Sequence, residues 1–315
     1  MVHPHAHILH RGPRGHEILT AQFGTLIDSC VDFGTHLVAA LLEGEKVPPY
    51  RVTAALMLRE FLAYLDGSSS LLRIGSPEST KVTLRSAFEA YLDLLYLLSE
   101  DTERRSTSYA LAAKHRSIRF LRRRNPSTEE GRRIAEAIAR DTSRFKITRV
   151  PSTDLPPVEQ LEADLRDEPF AEIESEWVST KQVARRRPKW YQLFGGPKDL
   201  WELSDRVGRA ALYDLLYRQW SASVHVEAVL GNVEIRSSTE AAIPSLRDPS
   251  ELQLLTSVAV GLALACFEDV INKTMASRRP QYLAWYGQEI QTGYTAVTSD
   301  EVLIRVEKRI EDEVS

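Results

Sequence analysis

Apolar positions along this chain recur mainly at the three- and four-residue steps of a helix. From about His16 to Leu42 the apolar set is Ile18, Phe23, Leu26, Ile27, Val31 and Leu37, and Gly44 follows as a stop. After Pro48-Pro49, Leu56, Leu58, Phe61 and Leu62 predict a second helix over about Arg51 to Leu65. It is expected to end at Asp66-Gly67, with the serines beyond read as a loop. Pro77 opens a third helix, about Glu78 to Leu98, apolar at Leu84, Phe88, Tyr91, Leu92 and Leu95. A strongly basic helix follows from about Thr102 to Arg124, then a short polar one from Thr128 to Arg144.

Prolines and small polar residues gather over Thr148–Pro157. The next stretch is acidic over Glu159–Glu176, then basic at Arg185-Arg186-Arg187, with weak periodicity. Helical pattern returns after the turn Gly195-Gly196-Pro197, running from an Asp199 cap to about Leu230 and stopping at Gly231. A very apolar helix spans about Glu251 to Met275, and an amphipathic one about Thr298 to Val314. Strand alternation is confined to Gly231–Arg236, and no internal repeat stands out.

The expected fold is therefore all-α, a helical bundle with a charged insertion between its two halves. Its parts would be a flexible tail (1–15), a first helical half (16–147), a charged linker or insertion (148–189), a second half (190–280) and a C-terminal extension (281–315).

Composition changes this picture little. Fifteen Gly and fifteen Pro in 315 residues leave few turns, which favours long elements. A net charge of −4 gives the whole molecule no general attraction for nucleic acid, so any phosphate affinity must be local. Cys30 and Cys266 both fall in apolar helical patterns and read as core residues of a reducing compartment, the cytoplasm. Met1–His16 lacks the apolar stretch of a secretory leader. The uncharged run Leu252–Phe267 is shorter than the roughly 20 residues of a bilayer span and reads as a buried core helix, so no membrane is expected as partner.

Candidate chemistry begins with Asp214, Arg218, Ser221 and His225, which steps of four, three and four place in one helical stripe. Beside it runs an apolar, mostly aromatic stripe of Tyr213, Tyr217, Trp220 and Val224. A second polar row, Arg85, Glu89 and Asp93, lies on the third helix among Leu84, Phe88, Leu92 and Leu95. A partly buried Arg85–Glu89 pair there would need further partners, which the later stripe could supply. Two readings stay open: a site, or a polar seam that only fixes packing.

Basic residues crowd two segments. Arg104, Arg105, Lys114, His115, Arg116, Arg119, Arg122, Arg123 and Arg124 share one helix; Lys181, Arg185, Arg186 and Arg187 precede Trp190 and Tyr191. Arginine interleaved with aromatics suits RNA, with Arg116, Arg119, Arg122, Arg123, Arg185, Arg186 and Trp190 the candidate contacts; the plain alternative is a solvated charged face. The tail histidines His3, His5, His7 and His10 lack Cys or carboxylate companions, and no zinc pattern, phosphate loop or nucleophile elbow is present, so neither metal nor cofactor is expected.

The blocks Arg85–Tyr96 and Tyr217–His225 resemble those of an uncharacterised bacterial helical family of unknown function, over roughly residues 20–275. The second block also resembles, more distantly, the motif of the HEPN (higher eukaryotes and prokaryotes nucleotide-binding) superfamily, an Arg followed four to six residues later by His. Here six residues separate Arg218 from His225, and Gln219 stands where Asn, Asp or His is usual. That resemblance implies a metal-independent ribonuclease of toxin or phage-defence type, homodimeric, with a cognate antitoxin or defence partner. Arg218 and His225 would be catalytic, supported by Arg85, Glu89, Asp214 and Ser221. The contrasting expectation is a non-catalytic helical sensor or interaction module in which these residues are structural.

Overall fold

The computed structural model describes residues 17–143, 155–224, 234–235, 241–242 and 245–299. The all-α expectation holds. In chain order the helices are α1 (Glu17–Leu41), α2 (Pro49–Arg73), α3 (Pro77–Leu97), α4 (Thr102–Arg124), α5 (Glu129–Arg140), α6 (Val158–Asp164), α7 (Ala171–Ala184) and α8 (Leu200–Arg206). Then come α9 (Ala210–Leu212), a π-helical turn (Tyr213–Tyr217), α10 (Arg218–Val224), α11 (Leu252–Thr274), α12 (Arg279–Trp285), a second π turn (Tyr286–Ile290) and α13 (Gln291–Thr298). One two-residue antiparallel ladder pairs Glu234–Ile235 with Ala241–Ala242. The N-terminal tail and most of the amphipathic segment expected over Thr298–Val314 lie outside the described residues.

The chain divides into two compact units. One takes in the described parts of Met1–Glu100 and Leu200–Ser315; the other is Asp101–Asp199. The second unit is thus larger than the segment 148–189 suspected from composition, because the basic helix α4 packs with α5, α6 and α7.

In the first unit α1, α2, α3 and α11 pack together. Helix α11 is apolar on most of its circumference, with Leu255, Ala259, Val260, Leu262, Ala263, Cys266, Phe267 and Val270 all buried. By length and composition it could cross a bilayer, and its packing against α1, α3 and α13 accounts for the same apolarity. Cys30 and Cys266 are free and buried; burial pushes the Cys30 thiol up to about 12. Truncating a side chain such as Phe267, fully buried, typically costs about 3–5 kcal/mol.

Two boundaries differ from the sequence expectation. Helix α2 does not stop at Asp66-Gly67 but runs on to Arg73. Ser68 Oγ donates to the Tyr64 carbonyl at 2.8 Å and shares a 2.7 Å bond with Thr83 Oγ1. Ser69 Oγ donates to Asp28 Oδ1 at 2.5 Å. Partners on α1 and α3 thereby overrule the local loop preference of serine. The single helix expected from Asp199 to Leu230 is instead broken at Gly208, whose φ of +72° ends α8 in a conformation that glycine adopts freely. Beyond the break, Tyr213–Tyr217 is wound as a π turn.

Candidate functional site

Helix α3 buries Leu84, Ala87, Phe88, Tyr91 and Leu92, so residues one position away from that stripe reach its margin. Arg85 is one of these, its side chain only 17% exposed. Its Nη2 donates to the Tyr217 hydroxyl at 2.7 Å, and its guanidinium carbon lies 4.5 Å from the centre of the Tyr217 ring. Glu89 Oε1 stands 3.4 Å from the same nitrogen. Phe88 and Tyr213 pack against Tyr217, the latter stacked at 4.9 Å. Burial raises the Tyr217 phenol above its ordinary value, Glu89 adds to the rise, and the bond from Arg85 opposes it. The partner that Arg85 and Glu89 need therefore comes from the aromatic stripe, where the polar stripe had been expected to supply it.

Of the polar stripe, Asp214 and Arg218 do meet, Arg218 Nε lying 3.6 Å from Asp214 Oδ1. Both are open to solvent, at 52% and 71% of their side-chain area. Ser221 instead turns back on its own helix, its Oγ donating to the Tyr217 carbonyl at 2.7 Å. His225 lies outside the described residues, one position beyond Val224 where α10 is last seen.

A further polar cluster in this unit is invisible to spacing arguments. Arg209, just after the Gly208 break, donates from Nε to the Tyr91 hydroxyl at 2.8 Å and from Nη2 to Asp269 Oδ2 at 2.8 Å. Tyr91 itself donates to the same carboxylate oxygen at 2.6 Å. Burial, then Asp269, raise the Tyr91 phenol well above its usual range, with Arg209 pulling the other way. The cluster ties α3, the chain between α8 and α9, and α11 together. Its members are far apart in sequence, and no helical spacing links them.

Within the second unit the candidate RNA contacts separate into spent and unspent side chains. Arg122 pairs with Glu162, Lys114 with Asp164 at 2.6 Å, and His115 Nε2 with Glu174 at 2.6 Å while stacking on Trp177. Arg186 donates to the Lys198 carbonyl, and Arg185 is an exposed residue in a left-handed turn after α7. Trp190 is 5% exposed, its ring edge-on to Tyr109 and Tyr191, so it offers no open face to a base. Close by, a Cβ on Gly196 would lie 1.9 Å from the Tyr191 carbonyl oxygen, so only glycine fits that turn. Arg116, Arg119 and Arg123 form no ion pair among the described residues, and Arg116 lies over the Tyr109 ring, 5.8 Å from its centre. No group of three or more metal-binding side chains occurs among the described residues.

Comparison with known proteins supplies one match. A family of unknown function, DUF5677, matches residues 52–234, more than half the chain. The chain belongs to DUF5677. No curated protein and no solved structure matches it. The matched region of this DUF5677 member runs from the start of α2 to the first short strand. It takes in Arg85, Glu89, Tyr217 and Arg218, and stops before Asp269 on α11.

Proposed function

We propose that this DUF5677 protein is a metal-independent endoribonuclease of HEPN-like type, homodimeric, cytoplasmic and employed as a toxin or in phage defence with a cognate partner. Arg218 and His225 are its catalytic pair. The observation that carries the reading is the openness of Arg218: 71% exposed, its one ion pair among the described residues is a long contact to Asp214, itself 52% exposed. A guanidinium serving merely to fix a bundle seam would be enclosed, as Arg85 is.

The chemistry follows from the two groups. An imidazole titrates near neutrality, so His225 accepts the proton of a ribose 2′-hydroxyl. The 2′-oxygen forms a bond to phosphorus while the bond to the 5′-oxygen breaks, and that leaving oxygen takes a proton from an imidazolium. Arg218 neutralises the phosphate as charge develops on its oxygens. Asp214, within reach of Arg218, orients it. The products are a 2′,3′-cyclic phosphate and a 5′-hydroxyl.

Purified protein, His225→Ala and Arg218→Ala are incubated with RNA in chelator, and cleavage, end groups and melting temperature are measured. The expected result is cleavage leaving a cyclic phosphate, reduced about 10²–10⁴-fold in His225→Ala with melting unchanged. No cleavage by any form, with a lower melting temperature for His225→Ala, would favour the second reading, a non-catalytic helical interaction module. One observation supports that alternative: Arg85 and Ser221 are both committed to bonds within the bundle.

A further inference from the structure

The cations of α4 fall into two sets that face different surroundings. Lys114 and Arg122, with His115, turn toward α6 and α7 and are met there by Asp164, Glu162 and Glu174. Arg116, Arg119, Arg123 and Arg124 take part in none of the ion pairs among the described residues, and the Arg116 guanidinium lies 5.8 Å from the centre of the Tyr109 ring. The nearby acids of α5 are already engaged, Glu130 with Arg122 and Glu129 with Arg133.

Phe120 lies in the midst of this second set. A large apolar ring, it is 48% exposed, with the Arg124 guanidinium 5.3 Å from its centre. At 100° per residue, Arg116, Arg119, Phe120, Arg123 and Arg124 cover one side of the helix over roughly 12 Å. Arg187, on the chain after α7, adds a further exposed charge. Burial, and then the positive charges of Arg187, Arg123 and Arg116, hold Arg119 below the usual guanidinium range, so an anion placed there would relieve repulsion.

We propose that this face of α4 is a docking strip for single-stranded RNA, with Phe120 as a stacking platform and the surrounding arginines as phosphate contacts. It rests on the proposal that RNA is the substrate, and it specifies that the RNA is unpaired. An exposed aromatic ring can stack only on a base whose face is free, which a duplex hides. Phosphate attraction alone would not distinguish the two. An acidic protein segment would satisfy the arginines but leave the ring without a partner.

The full-length protein is titrated with a fluorescent 2′-O-methyl single strand, which cannot form a cyclic phosphate, and with the matching duplex. Anisotropy should show tighter binding of the single strand, weakened about tenfold by Phe120→Ala and restored by Phe120→Trp. Arg116→Glu with Arg123→Glu, both at exposed positions and checked for unchanged melting, should weaken binding more and flatten its salt dependence. The strip is overturned if Phe120→Ala binds the single strand like the parent, if the duplex binds as tightly, or if polyglutamate of equal charge competes equally well. Cleavage of unmodified RNA is assayed in parallel. Cleavage with a neutral Phe120→Ala removes the strip alone, and a Phe120-dependent complex without cleavage removes the nuclease alone.

Discussion

Arg209 and Arg218 lie on the same stretch of chain, each beside an aspartate, yet the two pairs live in different physical worlds. Arg209 shares Asp269 Oδ2 with the Tyr91 hydroxyl, and the three groups close a ring of bonds of 2.6–2.8 Å between α3 and α11. Its side chain is 29% exposed and that of Asp269 23%. Arg218 reaches Asp214 only at 3.6 Å and with most of its surface in water. In the first pair the charges have lost most of their water and hold one another in place. In the second they keep their water, and the arginine stays available to an incoming anion. Identical residue types thus serve architecture in one place and remain open to chemistry in the other, and enclosure decides which.

Removing one member of the enclosed ring should produce the largest effect. Asp269→Ala leaves Arg209 without its carboxylate and Tyr91 without its acceptor, while the packing around both still hinders solvation. Breaking such a pair costs about 3 kcal/mol, at the low end of the range for buried pairs because both groups keep some contact with water. Chemical denaturation should register that loss as a lower midpoint. An unchanged midpoint would mean that the enclosed and exposed pairs do not differ energetically.

Alkaline pH tests the same enclosure through protons. The folded state raises the Tyr91 phenol, so between the ordinary phenol value near 10 and the raised one the folded chain binds more protons than the unfolded. The stabilisation is complete below pH about 10 and is lost as pH rises beyond it. Cys30 and Tyr282, each pushed up to about 12 with burial as the leading cause, act in the same direction. Melting temperature should therefore fall as pH rises from 9 to 11, and Tyr91→Phe should reduce the slope of that fall without abolishing it.

The helices were legible where burial followed helical periodicity, as in α1 and α3, and the apolar α11 could be read as a core element from composition. The end of α2 was not, because its serines gain partners from α1 and α3 that no local rule contains. Of the candidate residues, Asp214 and Arg218 could be paired by counting along a helix, but the Arg85–Tyr217 contact joins elements 132 residues apart. Tyr91, Arg209 and Asp269 meet across separations of 60, 118 and 178 residues, none of which a helical spacing can connect. Trp190 had the right neighbours in sequence for a base-stacking role, yet its ring is buried, while Phe120 stands in the open. Exposure of a single aromatic depends on which side of its helix finds a packing partner, and that is decided by the whole unit.

The smallest expected effect on stability belongs to Arg218→Ala, and it is the sharpest test of the contrast with Arg209. An exposed pair four residues apart on a helix contributes about 0.3–0.5 kcal/mol and is weakened further by salt. Alanine also has the higher helix propensity, which offsets part of that loss. The melting temperature of Arg218→Ala should therefore match that of the parent closely, and Asp214→Ala should behave alike. If Arg218→Ala melted as low as Asp269→Ala, its guanidinium would be holding the fold together. A residue so committed could not also neutralise a transient phosphate charge without surrendering its structural bonds. Stability near that of the parent, measured with the same protein samples used for RNA cleavage, would leave the guanidinium free for that task.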